Sequence, residues 1–134
     1  MTSIEKRALV YAYADAFNRG DIEGVCRLFA PDALVYGVLG WGDMTKVRPI
    51  WEQITASFKM NLQLDATTVE DDVVAARYTE RGTFVAPFRG TEPTGKSYEV
   101  VAMEWFVLKD GLIHRRWGAR DSATIFRQMG VPLN

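Results

Sequence analysis

The sequence is poor in residues that cross-link or ligate: among 134 residues there are one Cys and one His. One Cys forbids an intrachain disulfide, and with a single His it cannot build a thiolate or multi-histidine site, so zinc is excluded and no metal is expected. Neither sign of charge is in excess. The 16 Lys and Arg against 17 Asp and Glu give a formal charge of −1, and without a basic cluster to neutralise phosphates nucleic acid is not an expected partner. Long apolar runs are missing too. No stretch approaches the roughly 20 apolar residues of a membrane span, and residues 1–10 carry charges where a signal peptide needs an apolar run. The expectation is a cytoplasmic protein with no membrane partner. Repeats, low-complexity tracts and Pro- or Gly-rich linkers are absent as well, which leaves one domain over residues 1–134.

What is there is the material of a core. With 48% hydrophobic residues, a chain of this length buries about two-thirds of its unfolded surface. Thr2 followed by Glu5 forms a capping box, and Ile4, Ala8, Tyr11, Ala12, Asp15 and Ala16 recur at helical spacing until Gly20. Asp21 starts a short second helix that turns Ile22, Val25, Leu28 and Phe29 inward, with Cys26 as a small buried hydrophobe. Leu34, Tyr36 and Val38 alternate as a first strand. A Gly40-Trp41-Gly42 turn leads to a third helix, capped by Thr45, on which Val47, Ile50, Trp51, Ile54 and Phe58 repeat and Pro49 falls in the first turn.

From residue 62 the pattern changes to alternation, with strands over 62–70, 73–88, 97–109 and 112–120 rich in β-branched and aromatic residues. Asp71-Asp72 and Lys109-Asp110-Gly111 carry hairpin-turn chemistry, so these strands pair antiparallel. A last helix runs from Asp121 to Gly130. The fold class is α+β, with N-terminal helices packed on a curved antiparallel sheet that encloses a pocket.

The order of elements, together with Leu28-Phe29-Ala30-Pro31-Asp32-Ala33, Arg81-Gly82-Thr83-Phe84, Pro93-Thr94-Gly95-Lys96 and Asp110-Gly111-Leu112-Ile113 leading to Trp117 and Asp121, resembles the SnoaL-like polyketide cyclases and ester cyclases of the nuclear-transport-factor-2-like superfamily. Tyr78-Thr79-Glu80-Arg81 and Pro93 to Tyr98 are also similar to limonene-epoxide hydrolases. The resemblance implies a cone-shaped fold, a hydrophobic ligand and chemistry that needs no cofactor. In the cyclases an Asp near the end of the last strand and a His on the neighbouring strand act on the substrate; those positions here are Gly118 and Glu104. The Asp-Arg-Asp set of the hydrolases falls on Thr83, Arg81 and Gly118, where only the Arg is kept.

Residues 100, 102, 104 and 106 share one strand face, as do 114, 116 and 118, and the resemblance selects that face as the inner one. The implied lining is Tyr36, Val38, Trp41, Thr83, Val100, Ala102, Phe106, Gly118 and Asp121 around Glu104, Arg81 and Arg116. Glu104 interrupts an apolar run and is the candidate acid/base; an Arg-paired structural role or an edge position are the alternatives. Arg81 and Arg116 would stabilise an enolate or oxyanion, or pair with the carboxylate. Trp41 is a flap over the mouth or a loop anchor, and Asp121 a helix cap or a substitute acid. His114, at a strand start beside two arginines, reads as solvated. Trp105 and Trp117 fall on the outer face, where a homodimer would cover them. The function implied is a cyclase, isomerase or hydrolase acting on a small hydrophobic molecule; the alternatives are a ligand-binding or accessory domain that has lost the family's catalytic aspartates, and a purely structural dimerisation module.

Overall fold

The computed structural model describes residues 1–37 and 40–131. Helix α1 (Ser3–Asn18) starts at the expected capping box, the Thr2 hydroxyl accepting from the Glu5 amide at 3.1 Å and Glu5 accepting from the Thr2 amide at 2.8 Å. Its buried stripe is mostly not the one expected, although Ala16 is buried as predicted. Val10, Tyr13, Ala14 and Phe17, an i, i+3, i+4, i+7 set, face the core, and Ile4 and Tyr11 are exposed. Both stripes are helical in spacing, and the bulkier one wins the interior. Helix α2 (Ile22–Arg27) follows, capped by Asp21, with Cys26 half-buried.

Strand β1 (Phe29–Gly37) forms a hairpin with β2 (Gly40–Asp43), a strand where the sequence reading had only a turn. Helix α3 (Met44–Phe58) is capped by Asp43, which accepts from the Lys46 amide, and not by Thr45. Pro49 therefore lies inside the helix, past its first turn. The strands β3 (Asn61–Glu70), β4 (Val73–Thr83), β5 (Ser97–Lys109) and β6 (Leu112–Arg120) make an antiparallel meander as expected. The β5–β6 turn uses Asp110 and Gly111, both at positive φ, as a tight hairpin demands. The expected strand over 73–88 stops at Thr83. The sheet order is β2-β1-β6-β5-β4-β3, with β1 parallel to β6 and every other pair antiparallel.

Helices α1 and α3 cover one face of this sheet around Tyr13, Phe17, Phe29, Trp51 and Phe106. A second cluster gathers Phe58, Phe84, Phe88, Tyr98 and Val100 beneath α4 (Ser122–Met129). Among the described residues no helix is long and apolar enough to cross a membrane, and no His, Cys, Asp and Glu group could hold a metal.

Asp121, a candidate pocket residue in the sequence, is the cap of α4. Its carboxylate accepts from the Thr124 hydroxyl and from the Thr124 amide at 3.0 Å, and these bonds hold its pKa below the usual range. Asp121→Ala is expected to lower the thermal unfolding midpoint by a few degrees, because the amide and the hydroxyl of Thr124 in the first turn lose their acceptor; a melt followed by circular dichroism checks it.

Candidate functional site

Strand alternation decides which side chains look toward the helices. On β4, Val74, Ala76, Tyr78 and Glu80 are buried and Arg77 and Arg81 exposed; on β5, Val100, Ala102 and Phe106 are buried and Val101, Met103 and Trp105 are half exposed or more. Strand β6 shifts register between its pairings with Val107 and Leu108, where His114 is the extra residue. The shift turns both Ile113 and Arg116 inward. With Tyr13, Phe17, Trp51 and Ile54 from the helices, the inner faces line a cavity of about 320 Å³, within the range of small-molecule sites.

Glu104 lines this cavity. Its Oε2 accepts from the Tyr13 hydroxyl at 2.9 Å and from Arg116 Nη1, and its Oε1 has no partner. Arg116 is buried, with its guanidinium 5.9 Å from the centroid of the Trp51 ring. Burial opposes its charge, but Glu104 and the oxygens of Tyr13 and Tyr78 outweigh that and hold its pKa up. Tyr78 is buried beside Glu104 with its hydroxyl short of a formed hydrogen bond; burial first, and then the neighbouring carboxylate, push its pKa up. Tyr13 is raised by the same two causes.

Gly118 makes the pair sterically feasible. A Cβ there would collide with Arg116 Nη1 and stand 3.4 Å from Glu104 Oε2. The space beside the position where the resemblance puts a catalytic Asp is thus filled by the Arg116 guanidinium.

A second cluster lies on the same cavity wall. Glu80, 2% exposed, accepts on Oε2 from the Tyr98 hydroxyl at 2.6 Å and meets Arg120 Nη2 at 2.8 Å. Burial raises its pKa, against the lowering effects of Arg120 and Tyr98.

Of the residues expected in the site, the structure brings together Glu104, Arg116, Ala102 and Gly118. Arg81 is turned to the other face, where it donates to Glu99 at 2.6 Å and Gln63 at 2.8 Å, and it cannot stabilise charge in the cavity. Thr83 sits with it in a shallow depression and bonds Ser97, so the Asp-Arg-Asp arrangement of the hydrolases is not assembled here. Tyr36 and Trp41 meet edge to face on the outer side with centroids 5.2 Å apart, because β1 turns Val35 and Gly37 inward and β2 turns Gly40 and Gly42 inward. Trp41 is no flap. Val100 belongs to the second core cluster, and Phe106 is fully buried against Tyr13 without reaching the cavity surface. Val38 lies outside the described residues. His114 is outside the cavity, 3.5 Å from Asp32.

The sequence reading missed Glu80, Arg120, Tyr13 and Tyr78. Glu80 had a signal: Val74, Ala76 and Tyr78 set an apolar phase on β4 that Glu80 breaks, as Glu104 does on β5. Tyr13 was hidden by the competing helical stripe.

Gly118→Ala is expected to push Arg116 off Glu104 and to cost about 1–3 kcal/mol, the penalty of leaving buried polar groups unpaired; urea unfolding of the variant against the parent measures it.

The SnoaL-like domain family matches residues 10–116. No curated protein matches the sequence at a significant level. Among solved structures, IdmH of Streptomyces antibioticus, proposed to be a polyketide cyclase, is 28% identical over 94% of this chain and 99% of its own, with a TM-score of 0.81. AclR of Streptomyces galilaeus, proposed to be a hydroxylase, is 24% identical over 98% and 100%, with a TM-score of 0.88. A proposed polyketide cyclase of Xanthomonas campestris pv. campestris is 23% identical over 93% and 96%, with a TM-score of 0.85. The last two share the fold alone. A match over most of the chain, on the expected nuclear-transport-factor-2-like architecture, makes this chain a member of the SnoaL-like domain family.

Proposed function

We propose that the chain binds a small hydrophobic, oxygen-bearing molecule in its cavity and moves a proton on it as a cofactor-independent cyclase, isomerase or hydrolase. Glu104 is the acid/base and Arg116 holds the negative charge that develops on a substrate oxygen. The observation that carries this is the division of Glu104: one oxygen is fixed by Tyr13 and Arg116 and the other has no partner, on the wall of a mostly apolar cavity. A carboxylate clamped through one oxygen, with the other buried and unpaired, is held in one orientation for proton transfer. The likeness to IdmH, proposed to be a polyketide cyclase, supports the same class of chemistry.

A second reading is favoured by Gly118: without the family's Asp at that position, and with Arg116 in its space, the cavity would bind a ligand and leave it unchanged. Native mass spectrometry and product analysis with a panel of polyketide, steroid and terpenoid-epoxide compounds separate the two. Conversion of one compound, with turnover falling about 100-fold or more in Glu104→Gln, is the expected result. Binding without conversion supports the second reading, and turnover unchanged in Glu104→Gln removes Glu104 from the chemistry.

The outer face supports a homodimer. Trp41, Tyr36, Trp117 and Trp105 stand in register across β2, β1, β6 and β5, and all four are exposed. An aromatic row of this size left in water is unfavourable, and a second copy would cover it. Light scattering should give twice the chain mass for the parent and the chain mass for Trp105→Lys; a monomeric parent would sink the dimer.

A further inference from the structure

Glu104 and Arg116 take up one part of the cavity wall, and Glu80, Arg120 and Tyr98 form a second polar cluster beyond it. The register fixes their relation. Glu104 stands opposite Gly118 on β6 and Ala76 on β4, whereas Glu80 stands opposite Val100, and Arg120 opposite Ala102. Arg116 and Arg120 are four residues apart on one strand face, so their Cα atoms are about 14 Å apart at the usual strand rise. Gly118 lies beneath the Arg116 guanidinium, so the wall between the two clusters is made by Ala102 and Tyr78. Ala102 brings almost no side chain, which leaves room for the apolar body of a ligand between the two polar clusters.

The second cluster has the features of a recognition group. Its Arg120 contacts Glu80 through Nη2, keeps Nε unpartnered, and has a quarter of its side chain exposed on a residue that lines the cavity. A guanidinium carries five N–H donors in a rigid fork, so one carboxylate contact aims it and leaves donors to offer. Nor does stability explain the pair, since a buried ion pair adds little over apolar residues of the same volume. Tyr98 completes the hold on Glu80 from the second core cluster, tying Arg120's direction to the packing beneath α4.

We propose that the cavity recognises its ligand at both ends, by Glu104 with Arg116 at one and by Arg120, aimed by Glu80, at the other, so that its ligands are elongated hydrophobic molecules with an oxygen function at each end. The proposal rests on the cavity being a ligand site, as argued above, and names the class of molecule it takes. Arg120 touches the ligand and Glu80 is a positioning residue.

Two probes of nearly equal size test it by isothermal titration calorimetry: β-naphthol, with a hydroxyl at one end of a fused-ring system, and the naphthalene diol with a hydroxyl at each end. The parent is expected to bind the diol about ten-fold more tightly. In the double variant Glu80→Gln with Arg120→Met, which removes both charges together, the ratio should fall to near one. Equal affinities in the parent, or a preference that survives in the double variant, would overturn the proposal. Should that variant fail to fold, Arg120→Lys, which keeps the charge and loses the fork, must still reduce the ratio, and an unchanged ratio there overturns the proposal as well. Failure of the parent to bind either probe would instead strike at the cavity as a ligand site, and the two failures are told apart by β-naphthol alone.

Discussion

The interior of this protein is organised by one buried ion pair, Glu104 with Arg116. Each charge would be prohibitively costly alone among Tyr13, Phe17, Trp51 and Phe106, and each is tolerated because the other is within hydrogen-bond reach. The pair imposes conditions on its surroundings. Strand β6 has to shift register near His114 so that Arg116 faces inward, Gly118 has to lack a side chain so that the guanidinium can lie over it, and α1 has to present Tyr13 as a further donor. Removal of any of these leaves a charge in a place that cannot solvate it.

The same logic is repeated on the neighbouring part of the wall with Glu80, Arg120 and Tyr98. The two carboxylates of the cavity, each paired with an arginine, are polar points on a mostly apolar wall, which is the pattern of a site that orients a hydrophobic ligand by a few directed contacts. The burial that raises the Glu80 pKa sets it apart from the exposed acids, such as Asp65 and Asp121, whose hydrogen bonds lower theirs. Outside the cavity the charges serve a different end. Arg81 with Glu99, Arg27 with Glu23 and Arg48 with Glu52 are solvated surface pairs of small energetic weight.

Much of the fold was legible because its signals are local. Capping by Thr2 and Asp21, the Asp110-Gly111 hairpin and the alternation of the four long strands depend on residues a few positions apart. The site was legible where the resemblance chose the strand face: β5 is apolar on both faces, and the likeness that turned Glu104 inward also turned Arg116 and Gly118 inward, where the structure has them. On β1, Leu34 and Tyr36 compete with Ala33 and Val35 for the interior, and the larger set faces out because the outer side carries an aromatic row. On α1 two stripes fit the helical period, and choosing the wrong one hid Tyr13. Arg81 was assigned by likeness to another family's motif against the phase of its own strand, which Val74, Ala76 and Tyr78 already set.

The sequence by itself determined the classes of element, their order, and that an acidic residue, Glu104, interrupts an apolar strand, because helix caps, turn chemistry and period-two patterning act over short distances. The tertiary structure alone decided what that acid meets. The register of β6 against β5, the parallel docking of β1 on β6 and the rotation of α1 over the sheet bring Arg116, Gly118 and Tyr13 to Glu104 and set Glu80 with Arg120 along the same wall. Those contacts join residues far apart in the chain, and they follow from the packing of whole elements.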